Sequence, residues 1–360
     1  MGPVAFAGAL LILFVLLDAF EAVVLPRRVT RSIRLAVIHF RSLWAIWAWG
    51  SKLIAHPSRR ESYLSLYAPL ALMLLLATWA AGLILGFGMM HWGLGAHLSG
   101  PQPGPGFLTA LYFSGTTLFT LGLGDISPTT GAGRFLTVIE AGLGFALLAL
   151  AVGYLPVFYQ AFARREAEVS MLDEWAGSPP TAGTLLSRLG QWHDLGAISG
   201  FLSRWERWAA DMMESHISYP ILAGYRSQHG NQSWLAGLTA ILDTCALVLV
   251  GIDGVAQREA WLTFAIARHA LVDLCQVLNT PPITQAVDRL PPADLARLRE
   301  MLAQSGVRVR SGPDADAKLA ELRRMYEPYA NALSRRLLMS LPPWMAPAAA
   351  KDNWVKSAWL

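Results

Sequence analysis

The chain has 360 residues, 54% of them hydrophobic and 15% charged, whereas an average soluble domain carries roughly 25% charged residues. Residues 1–166 hold 17 of the charged side chains and residues 167–360 hold 37. The net charge of +4 arises beside the apolar segments, which is typical of a cytoplasmic membrane face and argues against a nucleic-acid partner. Two cysteines, Cys245 and Cys275, are too few for a disulfide framework. We therefore expect an all-α membrane protein with an α-helical cytoplasmic domain.

An N-terminal transmembrane helix is predicted within residues 1–30. Its apolar segment is long enough to span a bilayer and lacks the basic start and cleavage site of a signal peptide. Asp18 and Glu21 share one face of this helix. Ionisable residues within a span suggest a functional role. Their position near its end favours instead pairing with Arg27, Arg28 or a neighbouring helix.

Residues 31–60 are predicted to form an amphipathic helix at the membrane interface. At about 100° per residue, one face is basic and the opposite face is apolar. The basic set is Arg31, Arg34, Arg41 and Lys52, and the apolar set is Ala36, Phe40, Leu43, Trp47 and Ile54. Lipid headgroups suit the basic face, and acyl chains suit the apolar face. The alternative is a fourth span, which would place Arg59 and Arg60 outside.

Arginine positions predict the orientation of the chain. Basic residues follow the first span, precede the second and follow the third, and only Arg134 lies on the other side. The positive-inside rule then places the N-terminus outside and the C-terminal domain in the cytoplasm. We expect a multi-pass protein of the plasma membrane.

Residues 61–166 are predicted to form a pore domain. The spans Tyr67–Met90 and Phe135–Phe162 flank Phe107–Phe119, which is too short to cross a bilayer and fits a re-entrant pore helix. The next residues are Thr120-Leu121-Gly122-Leu123-Gly124-Asp125. Glycine at alternate positions permits the positive φ that lets successive carbonyls face one axis. Such backbone survives at membrane depth only where it lines an aqueous path.

This motif resembles the filter of the potassium channel family, whose pattern is Thr-Val-Gly-Tyr-Gly-Asp. The spacing from Asp125 to the Gly-Arg pair at 133–134 is similar to that of simple two-span members, and the resemblance covers about residues 111–163. Two positions depart from the family. Leu123 replaces the usual Tyr, and Phe119 replaces a common Thr at the end of the pore helix.

The resemblance implies a potassium site shared by four chains. One loop supplies a quarter of the filter, so a homotetramer is implied, with K+ as the permeant ion and no other cofactor. The implied K+ ligands are the carbonyls of Thr120, Leu121, Gly122, Leu123 and Gly124, together with the Thr120 hydroxyl. Asp125 is implied to support the filter at its outer mouth, with Tyr112 of the pore helix as a candidate partner.

The inner helix carries the predicted gate. Gly144 lies where the family's hinge glycine falls, and for this residue a hinge and close helix packing both remain open. The family's register implies an apolar pore lining that gates by dewetting. The gate and hinge set is Gly144, Phe145, Leu148, Val152, Gly153 and Pro156. Glu140 lies away from the ion path, so pairing with Arg134 or support of the pore helix is favoured over an ion site.

Residues 167–360 are predicted to be helical and cytoplasmic, with a role in tetramer assembly. Gly, Pro, Asn and Asp separate the candidate helices, which are 183–190, 194–215, 232–250, 256–278, 293–304 and 315–340. The apolar helix that holds Asp243 is short, which favours a core helix over a span. Three histidines lack metal-ligand spacing, namely His193, His216 and His229. The tail tryptophans suit either the membrane surface or the helical domain, and they are Trp344, Trp354 and Trp359.

Three functions remain open on the sequence. The first is a potassium-selective channel subunit that conducts passively and closes at the inner helix. The second is a weakly selective cation channel, motivated by Leu123 and Phe119. The third is a membrane-anchored signalling protein whose pore does not conduct. No catalytic constellation supports an enzyme, and the residues do not reveal the gating stimulus or a ligand of the cytoplasmic domain.

Overall fold

The computed structural model describes residues 2–25, 34–95, 98–99, 106–228 and 231–347. It divides into two compact units, residues 1–159 and 160–360. Several residues discussed above lie outside the described ones, namely Arg27, Arg28, Arg31, His229, Trp354 and Trp359.

The first unit begins with α1 (Gly2–Ala19), which continues as a π-helix (Phe20–Val24). This helix packs closely on α4 (Tyr67–Gly93). A Cβ atom on Gly8 would stand 2.5 Å from the carbonyl oxygen of Gly86, so only glycine permits this approach. Small residues at such contacts are the usual way in which membrane helices pack.

The two acidic residues near the end of α1 bind neighbouring segments. Asp18 is buried, and its Oδ2 accepts hydrogen bonds from the Ala36 amide and the Trp79 indole, each at 3.0 Å. Arg34 lies 3.7 Å from Glu21. The expected pairing with a neighbouring helix is therefore found for Asp18, and its bonds tie α1 to α4.

The helices α2 (Leu35–Ser51) and α3 (Pro57–Ser65) connect α1 to α4. Trp47 stacks on Tyr63 at 4.9 Å and donates its indole N–H to the Tyr63 carbonyl at 2.8 Å. The Tyr67 hydroxyl donates to the Phe40 carbonyl at 2.9 Å. Aromatic side chains of α3 and α4 therefore pack on part of this apolar face, and its contact with acyl chains stays a prediction. The exposed residues of α2 include Arg41, Ile38, Ile46 and Trp49, and Lys52 and Leu53, directly after the helix, are exposed as well.

The pore region contains two more helices and one small sheet. α5 (Phe107–Leu118) is the expected short helix, and α6 (Gly131–Ala176) is the inner helix. β1 (Leu98–Ser99) pairs antiparallel with β2 (Ser127–Pro128). α6 has 46 residues and continues through Pro156 and through the charge boundary at 166–167. The pore helix and inner helix expected from the sequence are therefore present, and the inner helix is longer than expected.

The described part of the second unit contains the end of α6 and six further α-helices. They are α7 (Ala182–Gln191), α8 (Ala197–Ser218), α9 (Trp234–Gly251), α10 (Arg258–Val277), α11 (Pro292–Gln304) and α12 (Pro313–Leu337), with a 3-10 turn at Pro220–Gly224. Each matches a candidate helix of the sequence within three residues at either end.

Among the described residues, four helical segments are long and apolar enough to cross a membrane, namely Gly2–Val23, Pro57–Gly93, Gly131–Ala176 and Trp234–Gly251. The last of these is α9, and every residue in it is buried inside the protein. A helix that is apolar all round and covered by protein belongs to a core. The expectation of a core helix around Asp243 therefore agrees with the fold.

A charged network lies beside α9. Asp243 accepts from Arg289 at 2.5 Å and also from the Tyr326 hydroxyl, and Arg289 contacts Glu327 at 3.1 Å. Burial alone would lower the pKa of Arg289, but the carboxylates of Asp243 and Glu327 outweigh it and raise that pKa. Trp344 is 1% exposed and lies 5.7 Å from the Arg289 guanidinium. Trp344 therefore packs on the helical domain.

The first turns of the second unit are held by a buried arginine. Arg165 forms an ion pair with Glu166 at 2.7 Å and donates to the Leu222 carbonyl at 2.9 Å and to His216 Nε2 at 3.0 Å. His216 Nδ1 lies 2.8 Å from the Met212 carbonyl, to which it donates. Burial, and secondarily the charge of Arg165, hold the pKa of His216 well below its usual value. His216 is therefore a neutral structural residue.

Candidate ion pore

The pore helix α5 lies directly against the outer helix α4. A Cβ atom on Gly88 would stand 3.2 Å from the Leu111 Cα, so the absence of a side chain sets this spacing. The Ser114 hydroxyl donates to the Ile84 carbonyl at 2.9 Å. These contacts fix α5 on α4, and the filter segment begins directly after the end of α5.

The filter backbone alternates between left-handed and ordinary conformations. Thr120, Gly122 and Gly124 have φ of +56°, +58° and +73°, whereas Leu121 and Leu123 are not left-handed. The sequence anticipated the two glycines but not Thr120. The spacing could have predicted the positive φ of Thr120, because this residue lies two positions before Gly122, as Gly122 lies two positions before Gly124. A left-handed conformation costs a non-glycine residue roughly 1–2 kcal/mol, so Thr120 needs support from its surroundings.

The C-terminal turn of α5 supplies that support. The Thr120 amide donates to the Thr117 carbonyl at 3.0 Å, and the Leu121 amide donates to the Thr116 carbonyl at 2.8 Å. These carbonyls are among those that the last turn of any helix leaves unpaired. The inner end of the filter is therefore bonded to the pore helix, and a shift of that helix moves the filter.

The outer end of the filter carries the contact expected between Tyr112 and Asp125. The Tyr112 hydroxyl donates to Asp125 Oδ2 at 3.0 Å. Between the two bonded ends, the side chains of Leu121 and Leu123 are 60% and 62% exposed. Leu121 and Leu123 are therefore largely uncovered within one chain, and the hydrogen bonds described above hold the two ends of the filter.

The inner helix contacts the pore helix at Gly144. A Cβ atom on this residue would stand 1.9 Å from the Leu118 carbonyl oxygen, so the packing interpretation of Gly144 has direct support. The hinge role stays a prediction. Of the other gate residues, Phe145, Leu148 and Val152 are 68%, 62% and 66% exposed. Gly153 and Pro156 are exposed as well, so the predicted lining forms one uncovered apolar face of α6.

Glu140 supports the pore helix from behind. It is buried, its Oε2 lies 3.0 Å from His91 Nε2, and its Oε1 contacts the Ser114 hydroxyl. Arg134 instead donates to the Pro128 carbonyl at 3.2 Å. Of the two expected roles, support of the pore helix is therefore the one found. Sequence analysis missed both partners, because neither His91 nor Ser114 is distinctive in an apolar helix.

Residues 72–161 match the model of a family described as "Ion channel". This region belongs to the ion channel family. The match confirms the resemblance to potassium channels that the filter motif indicated, and it covers the outer helix, pore helix, filter and inner helix together. Together with the apolar helices, this match indicates a membrane protein that contains an ion channel domain.

Two curated relatives are similar to parts of this chain. "Uncharacterized membrane protein YdjJ" of Bacillus subtilis (strain 168) is 25% identical over 198 residues, which are 55% of this chain and 55% of that protein. "Protein LctB" of Geobacillus stearothermophilus is 34% identical over 87 residues, which are 21% of this chain and 64% of that protein. The chain thus spans between half and two thirds of the length of these relatives. No solved structure matches it.

Proposed function

We propose that four copies of this chain form a potassium-selective channel. The tetramer conducts K+ passively through a filter of backbone carbonyls and closes at the inner helix. It lies in the plasma membrane with the N-terminus outside and the helical domain in the cytoplasm. Two exposed basic residues, Arg41 on α2 and Lys52 directly after it, contact lipid headgroups in this arrangement.

The observation that carries the proposal is the left-handed backbone at Thr120, Gly122 and Gly124. Alternating conformations allow consecutive carbonyls to be directed to one side, where they replace the hydration shell of an ion. A surface loop has no reason to repeat a costly conformation at every second residue. The exposed apolar face of α6 also supports the proposal, since a pore lining is uncovered within a single chain.

A second candidate is a weakly selective cation channel. Leu123 stands where potassium channels usually have Tyr, and a leucine side chain has no group that could hydrogen-bond the filter to its surroundings. At the outer end of the filter, the described side-chain hydrogen bond is then the one from Tyr112 to Asp125. A filter with fewer such hydrogen bonds holds its carbonyls less firmly in the positions that K+ requires, which favours a weakly selective channel.

Ion flux into liposomes distinguishes these functions. The purified full chain is reconstituted, its mass is measured to establish four copies, and K+ and Na+ flux are compared. We expect K+ flux to exceed Na+ flux clearly. Equal fluxes would favour the weakly selective channel. No flux from intact tetramers, also when the membrane voltage and pH are varied, would favour the non-conducting signalling protein.

Gly122→Ala is the matched test of the filter. A Cβ atom at Gly122 meets nothing within 4 Å, so the substitution acts through its φ of +58°. Gly131→Ala is the control, because its Cβ also meets nothing within 4 Å and its φ is not left-handed. We expect Gly122→Ala to lower K+ flux about tenfold or more, from roughly 1–2 kcal/mol of strain in each copy. Equal flux in the two variants would contradict the assignment of the filter.

A further inference from the structure

His91, Ser114 and Glu140 form a polar cluster where three helices of the pore domain meet. His91 lies on α4, Ser114 on α5 and Glu140 on α6, and each residue is at most 1% exposed. Glu140 Oε2 lies 3.0 Å from His91 Nε2. The Ser114 Oγ lies 2.9 Å from the Ile84 carbonyl oxygen and also contacts Glu140 Oε1. We call these three side chains the brace.

The hydrogen bonds of the brace require a particular placement of protons. The Ser114 hydroxyl has one proton but faces two oxygen atoms. The Ile84 carbonyl can only accept. If Ser114 donates to Ile84, the proton in its contact with Glu140 has to come from the carboxyl group. A protonated Glu140 therefore satisfies both contacts, whereas a carboxylate leaves two acceptors to share one proton.

The histidine agrees with this placement. Among the described residues, His91 Nδ1 has no hydrogen-bond partner. An imidazolium ring would bury an N–H there without an acceptor, which is costly. A neutral ring with its proton on Nε2 donates to Glu140 Oε2 instead. The brace then contains no charge at all.

Apart from His91, the side-chain contacts of Glu140 in the described part of the chain include no cation that could balance a carboxylate. Among the described residues, the side chains that form hydrogen bonds with Glu140 are His91 of α4 and Ser114 of α5. Arg134, on the same helix as Glu140, donates instead to the Pro128 carbonyl. An unpaired charge within a membrane span is expensive. A neutral acid that both donates and accepts avoids this cost.

We propose that Glu140 is a positioning residue, held as a neutral acid, that fixes the pore helix between the outer and inner helices. Ser114 belongs to the helix whose last carbonyls, those of Thr116 and Thr117, hold the filter amides. The brace thus acts on the ion path through α5 without touching an ion. Its effect on selectivity rests on the proposed channel function, but its protonation state does not.

Difference infrared spectroscopy of the full chain tests the protonation directly. We expect wild-type protein to show the carbonyl stretch of a buried carboxylic acid at neutral pH, and Glu140→Gln to lack it. Ser114→Ala should shift this band to higher frequency, because the acid loses its acceptor. A spectrum in which Glu140→Gln removes carboxylate bands instead would overturn the proposal, whether or not the protein conducts.

Conservative rescue tests the positioning role. A glutamine amide also donates to Ser114 and accepts from His91, so we expect Glu140→Gln to keep the wild-type ratio of K+ to Na+ flux. Glu140→Ala should lose most of that preference, and if it does not assemble, Ser114→Ala should show a smaller loss. Equal loss in Glu140→Gln and Glu140→Ala would mean that the negative charge is needed. An unchanged ratio in Glu140→Ala and Ser114→Ala would mean that the brace does not position the filter.

Discussion

Replacing Gly144 with alanine is expected to push the inner helix away from the pore helix. The added Cβ would stand 1.9 Å from the Leu118 carbonyl oxygen, whereas Cβ atoms do not approach other atoms closer than 3.0 Å. The separation therefore has to grow by about 1.1 Å, the difference between these two distances. Both sides of the contact are main chain, so no rotamer change can relieve it.

This displacement should reach the filter. Leu118 precedes Thr120 by two residues, and the Thr120 amide is bonded to the last turn of the pore helix. Overpacking of this kind typically costs about 1–3 kcal/mol, and a tetramer contains the contact four times. We expect Gly144→Ala to lower the thermal stability of the assembled channel and to reduce its preference for K+ over Na+.

Gly142→Ala is the matched control, because it lies on the same helix and its Cβ meets nothing within 4 Å. Thermal dissociation of the tetramer and K+ and Na+ flux are measured for both variants. A hinge at Gly144 predicts a different result, with wild-type stability and selectivity but an altered open probability in single-channel records. Wild-type stability and selectivity in Gly144→Ala would refute the packing argument.

Three further predictions concern the filter and the cytoplasmic unit. Tyr112→Phe removes the hydroxyl that binds Asp125 and is expected to lower the K+ to Na+ flux ratio without preventing assembly. Burial depresses the pKa of His216, so below about pH 6.5 this side chain gains a proton in the unfolded chain before it does so in the folded one. The second unit should therefore lose about 1.4 kcal/mol of stability for each pH unit over which only the unfolded chain is protonated. Hydrogen exchange in α8 measures this loss. Asp243→Ala leaves Arg289 buried without its closest carboxylate and should cost about 3–5 kcal/mol in urea unfolding.

Each of these predictions has its own control. Tyr159→Phe changes an exposed residue of the inner helix outside the filter and should leave the flux ratio unchanged. His193→Gln should retain the acid lability, whereas His216→Gln should remove it, since glutamine has no proton to gain in this range. Asp211→Ala, at an exposed position of α8, should change urea unfolding little. Reversed outcomes within any of these pairs would contradict the corresponding assignment.

Local sequence determined much of this protein's structure. Uncharged runs mark segments that avoid water, so the outer helix, pore helix and inner helix could be found from hydropathy and length. The glycines at 122 and 124 predicted positive φ because other residues adopt it only at a cost. Tyr112 and Asp125 could be paired because both lie close together in the chain, on either side of the filter. The six helices of the second unit followed from local periodicity and breakers.

Tertiary structure decided which protein surface covers each buried group. Glu140 could be placed behind the pore helix from its register, but its bonds to His91 and Ser114 join residues 26 to 49 positions apart. Hydropathy shows that the apolar face of α2 avoids water and not whether lipid or protein replaces it, so the contact of Trp47 with Tyr63 could not be predicted. Gly144 likewise required its neighbour Leu118 before packing could be argued. Such contacts depend on how distant segments meet in space, and no local pattern in the chain encodes that.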